Sequence, residues 1–266
     1  MELVSTEVLS NHSQNFVSNQ ILRLRMPTTP YRIHSTRRLK RGSPGTTAPV
    51  ACTIHGILKF DSAESPHLVY NELVSLRLAQ SLKVPVADGV LTVSGDGLAY
   101  ASLEVALPSM ALPDALPSQF GVIAQDYPHE SAGLLAFDIL VGNFDRGRNL
   151  KASLVKPHIP LFCAFDHSHV LLNIQENPHD SIQALKSDNL LILSHPFFKR
   201  IPRKNLDIWI KRIARLDLDV LRDCCVYGKP FRSVSNELQH NLFVALSHRA
   251  KNLTNIVSAH QGVIFP

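Results

Sequence analysis

Apolar residues recur at two different periods along this chain, and the change comes near its middle. From Ile21 to Phe60 the pattern is short and extended. ILRLRM and APVACTIHGILKF are β-rich runs, separated by the Gly/Pro/Ser turn RGSPGTT. Residues Leu68 to Leu82 switch to helical spacing, with Val69, Leu73, Leu76 and Ala79 in step and a stop before Val84-Pro85. Residues 90–107 predict two strands around the turn Gly95-Asp96-Gly97. The Pro-rich stretch PSMALPDALPSQFG predicts a connector.

Beyond it, Ser131 to Val141 predicts a helix, followed by the turn-rich segment GNFDRGRN and a hairpin of LKASLV and PLFCAF around KPHI. From about Asn205 onward the chain reads as mainly helix. NLDIWIKRIARLDLDVL and NELQHNLFVALSHRAKNLTNIV both carry apolar stripes, and in the second Leu238, Leu242, Leu246, Leu253 and Val257 share a face. The outline is a two-lobed α+β protein. Residues 1–20 form a polar lead-in, 21–107 a β-rich N-lobe with one helix, and 108–266 a mainly helical C-lobe, joined by a connector near 104–118.

Composition changes this picture little. With 45% hydrophobic and 18% charged residues, the chain is globular and not largely disordered. Cys52, Cys163, Cys224 and Cys225 contain no CxxC pair, which excludes a disulfide scaffold and disfavours a cysteine zinc site. Adjacent Cys224 and Cys225 read as core or helix-end residues. No apolar run reaches the length of a membrane span, and MELVSTEVLSNHSQNF lacks the pattern of a signal peptide, so a reduced cytoplasm is expected.

The net charge of +5 is unevenly placed. Arg23, Arg25, Arg32, Arg37, Arg38, Lys40 and Arg41 lie in a stretch free of acids, and without these seven the net charge would be −2. This is either a solvated surface or a surface for phosphates of nucleotide, nucleic acid or lipid.

Four places carry candidate chemistry. Lys59 ends the strand GILKF. Glu72 sits on the edge of the apolar stripe of the following helix, where an inward carboxylate needs a partner. A strand lysine paired with a helix carboxylate is the way kinases hold a lysine against nucleotide phosphates. Asp145 and Asn149 are spaced four apart in DRGRN, which suits a proton-accepting Asp and a magnesium-binding Asn carbonyl. Asp166 follows PLFCAF. If the hairpin turns at Pro157/His158, paired numbers sum to 315, so that Leu150 faces Phe165 and Asn149 faces Asp166 as a magnesium pair. His167 and His169 beside Asp166 invite a transition-metal reading, but no further His or Cys stands at ligand spacing. GxSxG and HExxH are absent.

Taken in order, ILKF, NELVSLRLAQSLKVPV, FDILVGNFDRGRNL and AFDHSHVLL resemble the HipA-like kinases, including the shorter stand-alone bacterial members. The match runs from about Leu58 to the C-terminal helices. DRGRN is also similar to the catalytic loop of phosphatidylinositol kinases.

The resemblance implies a two-lobed protein-kinase-like fold and transfer of the γ-phosphate of ATP with Mg²⁺, most readily to Ser or Thr of a protein. It implies that Lys59 binds phosphates, Glu72 orients Lys59, Asp145 is the catalytic base, and Asn149 and Asp166 bind Mg²⁺. The hinge for adenine falls at Ala101 to Ala106, with Ser102 and Glu104, and RGSPGTT takes the place of a phosphate-covering loop. There Gly42, Ser43, Gly45 and Thr46 would bind the nucleotide, and Ser43, Thr46 and Thr47 are candidate autophosphorylation sites.

His167-Ser168 replaces the Phe-Gly that follows the metal-binding Asp in common protein kinases. The chain is shorter than the full HipA toxins, which implies that it lacks their extra N-terminal subdomain; an antitoxin or other regulatory partner remains a candidate. The alternatives are a phosphoinositide-type lipid kinase, a nucleotide-binding pseudokinase that serves as a partner-binding module, and a nucleic-acid module working through Arg23–Arg41 with salt-dependent affinity.

Overall fold

A computed structural model describes residues 31, 33–38, 50–95, 97–107, 110–154 and 161–266. Strands dominate the first part of the described chain and helices the rest. β1 (Ile33–Arg38) and β2 (Val50–Ile54) form an antiparallel pair. β3 (Gly56–Lys59), β4 (Gly89–Ser94) and β5 (Gly97–Leu103) form an antiparallel sheet in the order β3-β5-β4. Lys59 lies opposite Tyr100 and Ile57 opposite Ser102. Cross-strand partners share a face and neighbours alternate, so Ile57, Lys59, Tyr100 and Ser102 project from one side of this sheet.

Between β3 and β4 runs α1 (Leu68–Leu82), with the bounds the periodicity predicts. Its run contains neither Gly nor Pro, and Lys83 closes it in the left-handed conformation at φ 60°. The helix is buried around most of its circumference, with Asn71, Glu72 and Ser75 enclosed beside the apolar side chains. Later segments of the chain supply the cover. Tyr70 Oη donates to Cys225 O at 2.7 Å, Asn71 Nδ2 donates to Val170 O at 2.8 Å, and the Arg77 guanidinium lies 4.6 Å from the centre of the Tyr227 ring.

The connector carries two short paired strands, β6 (Ala106–Leu107) and β7 (Met110–Ala111), before α2 (Phe120–Asp126). α3 (Pro128–Val141) begins with Pro in its first turn and ends at Gly142, whose N–H bonds Asp138 O. Gly142 has φ +73°, and a Cβ there would meet Ile174 Cδ1 at 2.5 Å, so both backbone and packing require glycine. α3 is enclosed from Ser131 to Val141 and forms the axis of the main core.

The two strands after the turn, β8 (Leu150–Ala152) and β9 (Phe162–Ala164), pair with Leu150 opposite Ala164 and Ala152 opposite Phe162. Paired numbers therefore sum to 314, and the predicted facing of Leu150 with Phe165 and Asn149 with Asp166 is off by one residue. Burial sets the register: Leu150, Ala152, Phe162 and Ala164 turn to the main core, whereas Cys163 and Phe165 join a smaller cluster with Ala87, Val105, Leu112 and Leu161. β9 also joins the front of the chain, through Ala87 N to Ala164 O at 2.8 Å and Ala164 N to Pro85 O at 3.0 Å.

α4 (Pro178–Lys186), α5 (Arg203–Ala214), α6 (Leu218–Cys225), α7 (Asn236–Ala259) and α8 (Gln261–Ile264) complete the C-lobe. The apolar stripe over 205–221 is split into α5 and α6, because Asp217 caps the second helix through the N–H groups of Asp219 and Val220. The five predicted stripe residues of α7 are all buried, and Cys224 and Cys225 end α6 in the core. Among the described residues no helix is long and apolar enough to cross a membrane.

Candidate active site

Three segments meet at Lys59: β3, α1 and the chain just beyond β9. The last residue of β3 sends its ammonium across the sheet face to α1, where Nζ donates to Glu72 Oε1 at 2.5 Å. The same Nζ lies 2.9 Å from Asp166 Oδ1. Burial alone disfavours the ammonium, but the two carboxylates outweigh it and raise the Lys59 pKa above its ordinary value. Burial likewise disfavours the Glu72 carboxylate, yet the His167 side chain and the Lys59 charge hold its pKa down. Asp166 behaves the same way: against the cost of burial, Lys59 and Ser168 lower it from 3.8 to about 2.

Asp166 stands just beyond β9 at φ +60°, where the chain turns sharply. Ser168 Oγ donates to Asp166 Oδ1 at 2.7 Å. Both the lysine and the serine use Oδ1, and among the described residues no hydrogen bond falls on Oδ2. That oxygen is chemically suited to a cation.

Asp145 and Asn149 bracket a 3₁₀ turn after α3. Asn149 Nδ2 donates to Asp145 O at 2.9 Å, and Phe165 N donates to Asn149 O at 3.1 Å. Asn149 is thus joined to the strand that delivers Asp166, although it faces Phe165 and not Asp166. Asp145 is exposed, and so is Phe144 beside it, whose ring tilts toward His169 at 6.3 Å. His167 is buried and turned inward, away from the transition-metal arrangement with His169. Ser102 is buried near the end of β5, while Glu104 N donates to His55 O at 2.9 Å and its carboxylate lies 3.4 Å from His55 Nδ1. Gly42, Ser43, Gly45, Thr46 and Thr47 lie outside the described residues, as does most of the Arg23–Arg41 stretch.

The loop carrying Asp145 is held by a buried network that sequence reasoning missed. Asp138, fully enclosed in α3, accepts from Arg146 Nε at 2.8 Å and Nη2 at 3.0 Å. It also accepts from Asn143 Nδ2 at 3.1 Å. Phe197 N donates to His195 Nδ1 at 3.1 Å, so Nε2 carries the His195 proton and donates to Asp138 Oδ2 at 3.0 Å. Burial opposes the Asp138 charge, but Arg146 and His195 win and depress its pKa. Burial lowers the pKa of His195 despite that carboxylate.

One signal was available for this hub: Asp138 is the only charged residue in the run SAGLLAFDILV. His195 had none, being 57 positions away. Ile57 was also overlooked; it shares a face with Lys59 and Ser102 and remains 63% exposed, an apolar shelf beside the charged pair.

No protein-family model and no curated protein sequence matches the chain. Its structure is similar to HipA of Shewanella oneidensis MR-1, solved with HipB and operator DNA as a toxin–antitoxin system. The TM-score is 0.56 at 15% identity, over 92% of this chain and 72% of that one. The fold is that of the HipA-like kinases. A second solved structure with this likeness is the Helicobacter pylori proinflammatory kinase CtkA, at TM-score 0.52 and 15% identity, over 86% of this chain and 97% of that one. This is the two-lobed, kinase-like architecture expected from the ordered motifs, with a strand-rich N-lobe and a helical C-lobe.

Proposed function

We propose that the protein is an ATP- and Mg²⁺-dependent kinase that phosphorylates a hydroxyl group, most readily Ser or Thr of a protein. The observation that carries this reading is Lys59 held between Glu72 and Asp166. A lysine with no further role has no need of two carboxylates from different segments, whereas one that receives a triphosphate must be aimed and charged before the nucleotide arrives.

The donor set fits magnesium. Mg²⁺ takes one or two protein oxygens and completes its shell with phosphates and water, and Asp166 Oδ2 and Asn149 Oδ1 provide two such oxygens from joined segments. When bound, magnesium neutralises phosphate charge. The chain's own groups do the rest. Lys59 binds phosphate oxygens, and Glu72 keeps it pointed. Ile57 and Ser102 offer the base a flat, partly apolar wall beside the hinge at Ala101 to Ala106, with Glu104 at its end. Asp145, exposed at the start of the loop, accepts the proton of the attacking hydroxyl, and Phe144 lies where the acceptor approaches. Gly42, Ser43, Gly45 and Thr46 retain their assigned role as a phosphate-covering loop, and Ser43, Thr46 and Thr47 as candidate autophosphorylation sites. Catalysis of this kind is mainly positioning and charge stabilisation.

Intact-mass spectrometry of the purified protein, with general protein acceptors and with or without Mg-ATP, tests the proposal. Phosphoryl mass added to the chain or an acceptor only when Mg-ATP is present supports it. Mg-ATP binding, seen as a thermal shift, without transfer to protein, lipid or water would instead favour a nucleotide-binding module. Transfer to phosphoinositide vesicles with no labelled protein would favour the lipid-kinase alternative.

A further inference from the structure

His167 follows the proposed metal ligand, and its surroundings give it a second task. The residue is 3% exposed, and its ring sits edge-on to Phe137 of α3 at 5.7 Å. Arg146 Nη2 lies 2.9 Å from His167 Nε2. A guanidinium only donates, so Nε2 is the accepting nitrogen and the proton resides on Nδ1. Nδ1 is 3.8 Å from Glu72 Oε2, and the backbone N–H of His167 donates to Glu72 Oε1 at 3.1 Å.

Arg146, for its part, is saturated. Nε and Nη2 engage Asp138, Nη1 donates to Asn149 O at 2.9 Å and Phe165 O at 2.7 Å, and the last N–H goes to His167. A guanidinium has five donors, and here each has an acceptor. Four of those acceptors belong to the loop, to its neighbouring strand, or to α3. The bond to His167 is the one that leads through a side chain to Glu72, the carboxylate that aims Lys59.

We infer that His167 is a positioning residue that couples the Asp145 loop to the Lys59–Glu72 pair, with its neutral imidazole accepting from Arg146 on one side and facing Glu72 on the other. The inference rests on the kinase reading for its consequence, since its effect is to keep the proton acceptor in register with the held phosphates. Phenylalanine at this position could fill the same space but could not bond Arg146. The histidine therefore substitutes a polar linkage for an apolar contact.

The test compares His167→Gln with His167→Asn. The Gln oxygen lies as many bonds from the backbone as Nε2 does and can accept from Arg146, whereas Asn is one methylene too short. Both variants keep the backbone N–H on Glu72, so Lys59 stays anchored and affinity for Mg-ATP is expected to stay near wild type. The expected kcat loss for Asn is about 10- to 100-fold, the range typical of losing a supporting hydrogen bond behind a reactive group, with Gln recovering most of it.

Backbone hydrogen exchange, which needs no transfer activity, is read in parallel. Exchange at residues 143–149 is expected to quicken in Asn and not in Gln, at similar thermal midpoints. Asn and Gln behaving alike in exchange, or a kcat loss that only tracks the thermal midpoint, overturns the coupling. A wild-type protein that transfers no phosphate overturns the kinase reading, and the exchange comparison still decides the coupling.

Discussion

Removing one oxygen from the buried hub of α3 should cost this protein a large part of its stability. In Asp138→Asn the side chain keeps its shape but loses its charge. The carboxylate receives four N–H groups: Asn143 and Arg146 on Oδ1, Arg146 and His195 on Oδ2. An amide nitrogen at either position abolishes two of these bonds and sets donor against donor. It also strands the Arg146 charge, whose side chain is fully enclosed. Breaking a buried ion pair by removing one partner costs about 3–5 kcal/mol. Against a typical total of roughly 5–15 kcal/mol, that is a major loss. For a chain of this size each kcal/mol lowers Tm by about 2–4 °C, so the expected drop is about 6–20 °C.

Circular dichroism melting of wild type and variant at neutral pH measures the difference directly. A double-mutant cycle with Arg146→Met should show that the two losses are strongly non-additive, since the second substitution removes the stranded charge. A drop of less than about 2 °C for Asp138→Asn would show that the network contributes little to stability.

Other outcomes follow from the site. Asp145→Ala should abolish phosphate transfer while leaving the Mg-ATP thermal shift in place, and equal turnover in variant and wild type would remove Asp145 from its role. Because Asp166 is lowered from 3.8 to about 2 by Lys59 and Ser168, its contribution to stability is complete above about pH 4 and is lost as pH falls toward 2. Acid melts of Asp166→Asn should therefore be flatter than wild type in that window. Ile57→Arg, at an exposed position on the Lys59 face, should weaken Mg-ATP binding at an unchanged Tm. The same affinity in both proteins would show that the base does not lie on that shelf.

Much of this architecture was legible because local signals agreed with burial. The α1 bounds follow from an unbroken helical run between Pro66 and Val84-Pro85, and the β4–β5 hairpin follows from its Gly-rich turn. Lys59 and Glu72 could be paired on paper because a carboxylate among apolar helix positions demands a cation, and the preceding strand ends in one.

The β8–β9 register was not legible from the turn. It is set by which side chains reach the main core, and that depends on α3. The split between α5 and α6 was hidden because the apolar stripe continues through it while the Asp217 cap interrupts the backbone. Of the Asp138–Arg146–His195 hub only Asp138 carried a signal, because its members come from three separate segments and only packing brings them within bonding distance.

In the proposed function Lys59 faces the phosphates of a nucleotide bound with magnesium, beside Asp166. An ATP analogue carrying an acyl phosphate, which acylates lysines at the phosphate position, tests it most directly when the modified residue is identified by peptide mass spectrometry. Lys59 is expected to be the principal labelled lysine, excess Mg-ATP to suppress the label, and Asp166→Asn to weaken the suppression. Labelling spread over surface lysines and indifferent to Mg-ATP would contradict it.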